Sequence, residues 1–133
     1  AGQDNCREKA ENAIGSGKAL EVFRKTIELH GGNYKICDDT SLLPQAKYSF
    51  EVKSDRTGTV SEINSEEIGM TSLLLGAGRI TKNQPVDSTA GIILNCKKGD
   101  YVHKGDLLMT LYSSKISDFS DSEKRALNSM KIM

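Results

Sequence analysis

A chain of 133 residues has room for one core and buries roughly two-thirds of its unfolded surface. Eighteen basic and eighteen acidic residues leave a net charge of zero. No field then draws in a phosphate backbone or an anionic membrane, and neither nucleic acid nor membrane is an expected partner.

The three cysteines, Cys6, Cys37 and Cys96, are odd in number and widely spaced, and His30 and His103 are the two histidines. That pattern predicts reduced thiols in a cytoplasmic protein and no zinc site. No apolar run approaches the roughly 20 residues that cross a bilayer, and the first six residues lack the charged and apolar regions of a signal peptide. The absence of an initiator methionine leads us to expect a chain that begins inside a longer protein.

In chain order, helix formers over 6–14 predict a short helix stopped by Gly15, Ser16 and Gly17. Over 18–30, Leu20, Phe23 and Ile27 recur at helical spacing, and Gly31 and Gly32 close the run. Its apolar stripe has few partners nearby and is expected to pack on a body outside this chain. Period-two alternation then places Tyr48, Phe50 and Val52 on one face of a strand, and 57–63 reads as a second strand. Asn64 or Ser65 caps a predicted helix over 66–75, with Glu66 and Glu67 in its first turn, ending at Gly76 and Gly78.

Three further strands are predicted, over 90–96, at Tyr101 and Val102, and over 107–112. Between them lie turn clusters at 97–100 and 104–106. Ser120 with Glu123 forms a capping-box pattern that opens a peripheral last helix through Ala126, Leu127 and Met130. No close internal repeat is apparent. The order suits an α+β domain. The expected division is a helical segment over 1–33, an α/β domain over 34–116 and a C-terminal helix or tail over 117–133.

Candidate chemistry is sparse. Gly15, Ser16, Gly17 and Lys18 resemble the end of a phosphate-binding loop, but Asn12 stands at the first glycine, Ala19 replaces the magnesium-binding hydroxyl, and a helix precedes. We read a helix-to-helix hinge instead. Gly76, Ala77, Gly78 and Arg79 follow a helix rather than open one, so they fit a C-terminal cap, with Arg79 available for a lid or interdomain contact. Neither histidine sits in a nucleophile, base and orienter arrangement. Glu66, Glu67, Asp100 and Asp106 fall at helix starts and turns, where backbone roles account for them. Residues 130–133, Met-Lys-Ile-Met, resemble the hairpin that carries biotin or lipoate, and 97–108 have the rhythm of such carriers. Lys131 lies in a helix-like stretch with no strand to follow, so carrier function is not expected while carrier-like architecture is.

Taken in order, several pieces carry a family resemblance: 17–23 with His30, Gly31, Gly32 and Asn33, then 43–46, 58–60, Ile68 and Gly69, 75–79, Val86 and Asp87, Gly91 and Ile92, 98–102 and 104–108. Together they look like the C-terminal region of pyrimidine-nucleoside and thymidine phosphorylases, over residues 13–111. The family's Gln-Gly-Gly-Asp at the helix end reads His30, Gly31, Gly32 and Asn33 here. The resemblance implies a hammerhead-like fold with biotinyl/lipoyl-like (barrel-sandwich) strands and flanking helices. It also implies a homodimeric parent enzyme that splits a pyrimidine nucleoside with inorganic phosphate, giving free base and pentose 1-phosphate, with no other cofactor.

The family's phosphate loop and base-binding set lie upstream of this region. No catalytic, substrate-binding or metal residue is transferred, and the chain alone is expected to be inactive. Its expected role is to buttress the parent's α/β lobe, with Leu20, Phe23, Ile27, Leu73 and Leu74 in the packing and residues 76–79 near the cleft mouth. A carrier-like or adaptor module is the alternative from another class, and a nucleotide phosphorylase acting on nucleoside monophosphates is the alternative within the family.

Overall fold

The computed structural model describes residues 5–133, so the signal-peptide expectation for residues 1–4 lies outside the described residues. Two compact units divide the chain, Ala1–Leu43 and Pro44–Met133.

In the first unit the predicted helices form as α1 (Cys6–Gly15) and α2 (Lys18–Leu29), joined through Gly17 at φ +78°. Two single 3-10 turns follow, Tyr34–Cys37 and Thr40–Leu42. They form because Asn33 and Asp39 each accept the backbone N–H two residues on, a local bond that competes with longer helix. Arg24 ties α2 to the first turn with a two-armed pair to Asp38, Nη1 to Oδ2 at 2.7 Å. Neither helix buries a residue, and Leu20 and Phe23 remain 47% and 55% exposed.

The second unit is α+β. Strands β1 (Tyr48–Lys53), β3 (Gly91–Leu94) and β5 (Leu107–Ser113) make one antiparallel sheet in the order β1-β5-β3. Strands β2 (Gly58–Ile63), β4 (Tyr101–Val102) and β6 (Met130–Ile132) make the other, in the order β4-β2-β6. Apolar residues alternate inward, so Val52, Val60, Val102, Leu108, Met109 and Leu111 form a shared core. Phe119 joins it, stacked on Phe50 with ring centroids 5.7 Å apart.

Several sequence expectations are revised. The helix predicted over 66–75 is α3 (Ser65–Ser72), and the chain then widens into a π turn over Leu73–Ala77, because Gly76 leaves helical geometry at φ +111°. In that turn Leu75 is fully buried while Leu74 faces out.

The last helix, α4 (Ser120–Asn128), is capped from Asp118 rather than by Ser120. Asp118 Oδ1 accepts both the N–H (3.0 Å) and the hydroxyl (2.6 Å) of Ser120. The helix is integral rather than peripheral, with Ala126 fully buried. The segment read as a C-terminal helix or tail over 117–133 holds α4 and then a strand the sequence reading missed, β6, where Met130 pairs with Ile63 and Ile132 with Val60. Its single apolar, polar, apolar step was too short to outweigh the helical pattern before it.

A repeat is also present. Gly99 donates to Val60 and Val60 to Asp100, both at 2.8 Å, and six residues on Gly105 donates to Ser54 and Ser54 to Asp106, again at 2.8 Å. In each turn the aspartate carboxylate accepts the N–H three residues before it, Lys97 or His103. Its sequence mark is Lys-Gly-Asp at 98–100 and again at 104–106.

Candidate functional site

Within each unit the chemistry-bearing residues of the sequence take up local structural positions. Gly17, Lys18 and their neighbours join two helices, without the strand a phosphate loop requires. His30 caps α2. His103 Nδ1 lies 3.5 Å from Asp106, well exposed, with Tyr101 edge-on to its ring at 5.4 Å. Asn64 supplies the cap of α3, accepting the N–H groups of Glu66 and Glu67, and Glu67 pairs with Arg125 at 3.4 Å.

Lys131 lies within β6, beside Glu62 of β2. Contrary to the helix-like reading, it is on a strand, but not on a tight turn between two strands. Among the described residues no cluster of three or more His, Cys, Asp or Glu side chains could hold a metal ion.

A cleft of about 380 Å³ is lined by the β1–β2 turn, β6 and the end of α4, and at its rim Arg56 Nε pairs with Asp55 at 2.8 Å. The thiol of Cys96 is buried against Met130 Sδ at 3.8 Å. Burial, with a smaller contribution from Asp100, pushes that thiol above its ordinary value, away from the reactive thiolate.

The densest polar construction surrounds the loop over 78–86. Asp87 is 8% exposed, and a carboxylate so placed requires hydrogen bonds. Its Oδ1 accepts the Thr89 hydroxyl at 2.6 Å and the Thr89 N–H at 3.0 Å, and its Oδ2 accepts the Ser114 N–H at 2.7 Å. These bonds, the Thr89 hydroxyl foremost, and to a lesser degree the Lys115 charge hold the carboxyl below its ordinary value. Asp87 also donates its backbone N–H to the Gly76 carbonyl at 2.8 Å.

Ser113, fully buried, donates its hydroxyl to the Leu75 carbonyl at 2.7 Å and accepts the N–H groups of Lys115 and Ile116. Lys115 Nζ caps the Pro85 carbonyl. Sequence reading named Gly76 and Arg79 but not Thr89, Ser113 or Ser114; the Asp-x-Thr turn at 87–89 was the available signal.

The side chains of this arrangement bind backbone groups, at Leu75, Pro85, Thr89 and Ser114. Comparison with known proteins supplies the context. The sequence profile described as the pyrimidine nucleoside phosphorylase C-terminal domain matches residues 59–133. The chain belongs to that family. It is 46% identical over 112 residues to a pyrimidine-nucleoside phosphorylase of Bacillus subtilis (strain 168), covering 84% of this chain and 26% of that protein. It is 42% identical over 120 residues to the pyrimidine-nucleoside phosphorylase of Staphylococcus aureus (strain USA300), covering 90% of this chain and 28% of the relative. The chain spans about a quarter of the length of the curated relatives it matches.

Proposed function

We propose that this chain is the accessory domain of an enzyme that cleaves pyrimidine nucleosides with inorganic phosphate to free base and pentose 1-phosphate, and that it carries no catalytic group itself. One observation supports this above the rest. Relatives named for the activity align with 84–90% of this chain, yet some three-quarters of their own length lies outside the match. Asn64, Asp87, Asp100, Asp106, Ser113 and Asp118 are committed to caps, turns and backbone bonds, the use a scaffold makes of its polar groups.

The exposed apolar residues of α2, Leu20 and Phe23 with Val22 and Leu29, suit packing on the remainder of the parent. We read the loop over 76–79 as lying near the parent's cleft mouth. The paired Lys-Gly-Asp turns support a hammerhead-like domain with barrel-sandwich strands, the finer fold the resemblance implies. The same resemblance carries the reading of a homodimeric, cytoplasmic parent with no cofactor beyond phosphate as co-substrate. The three unbridged cysteines accord with a reducing compartment.

The test is phosphorolysis of uridine and thymidine by the parent-length protein. Release of free base only when inorganic phosphate is supplied supports the reading; a parent that consumes neither nucleoside refutes it.

A further inference from the structure

Both ends of the loop over 78–86 return to the same three residues at the end of β5. The outgoing end is fixed by Ser113, whose hydroxyl holds the Leu75 carbonyl at 2.7 Å. The returning end is fixed by Asp87 on the Ser114 N–H at 2.7 Å and by Lys115 on the Pro85 carbonyl. Thr89 Oγ1 and Ser114 Oγ, 2.7 Å apart, share a further hydrogen bond, and the Asp87 N–H on the Gly76 carbonyl closes the loop at its neck.

Between these anchors the loop's bonds among the described residues are local, Gln84 N–H to the Thr81 carbonyl at 3.1 Å and Ile80 N–H to Gln84 Oε1 at 3.0 Å. Ile80 is 62% exposed, and Arg79 and Lys82 form no ion pair among the described residues. A segment with so few contacts of its own takes its order from its ends.

We propose that Asp87 is a positioning residue whose bonds to Ser114 and Thr89 hold the loop over 78–86, and Arg79 with it, in one conformation. That the loop borders the parent's cleft rests on the functional reading above; the hold itself does not. Asparagine in place of Asp87 keeps the shape but turns an N–H group toward backbone N–H donors, so at least one arm of the clasp opens.

Trypsin reads the consequence directly, since it cuts after Arg79 and Lys82 inside the loop and after Lys97 and Lys98 outside it. In Asp87→Asn we expect cleavage at the two loop sites to rise roughly tenfold, the factor that goes with a buried donor left unpaired, while the two outer sites keep their rate. Thr89→Val, which removes the hydroxyl from Asp87 and Ser114, moves in the same direction, and Thr89→Ser restores the original rate. Loop cleavage unchanged in both Asp87→Asn and Thr89→Val overturns the proposal. So does a rise shared equally by all four sites in Thr89→Val, the mark of general loosening. In the parent-length enzyme the clasp variants are expected to lower kcat/KM for phosphorolysis. A freed loop with kcat/KM unchanged would keep the clasp and remove the loop from the cleft.

Discussion

Asp87 gains its hydrogen bonds only in the folded chain, and its carboxyl is held below its ordinary value there. The sign follows from linkage: a depressed folded value contributes stability that is present above the unfolded carboxyl value of about 3.9 and is lost as pH falls through the folded one. Asp118, lowered by the Ser120 hydroxyl and N–H, acts in the same direction. Urea midpoints are therefore expected to hold level from neutral pH to about pH 5 and to fall below that. Asp87→Asn should flatten part of the fall, and an acid limb identical in the variant would deny Asp87 this role.

At Gly76, φ is +111° and a Cβ would stand 3.2 Å from Asp87 Cβ. Gly76→Ala is expected to cost about 1–3 kcal/mol in urea unfolding. The glycine was legible in the sequence as a helix stop. Its partner was not, because the bond from Asp87 spans ten intervening residues whose local pattern says only that the chain turns.

Elements were legible where one period ran long enough to dominate. The Leu20, Phe23 and Ile27 spacing and the Tyr48, Phe50 and Val52 alternation both became the elements they predicted, α2 and β1. The C-terminal strand was not legible, since three residues carry too little alternation to announce a strand; β2 supplies the pairing that makes β6 one. Gly58 records that pairing, because a Cβ there would meet the Met133 carbonyl oxygen at 2.6 Å.

Gly58→Ala is therefore expected to push β6 off β2 and to lower stability by about 1–3 kcal/mol. The loss should appear as faster hydrogen exchange at Thr59 and Met133, which bond each other across the pair at 2.7 and 3.0 Å. Protection unchanged at both amides would place the β2–β6 contact outside the cooperative core.

Across the whole molecule, a balanced charge, scattered cysteines and two isolated histidines led to expectations of absence and pointed to no activity. Function became readable through the order of short pieces over residues 13–111, none of them specific by itself. It could not be read from a site, because the side chains that handle nucleoside and phosphate belong, on our proposal, to the remainder of the parent.

The most direct measurement is a phosphorolysis assay of the purified 133-residue chain beside the parent-length enzyme, with uridine and thymidine in excess phosphate. We predict base release by the parent and none above the uncatalysed background by the chain alone. Turnover by the isolated chain at the parent's rate would contradict the account.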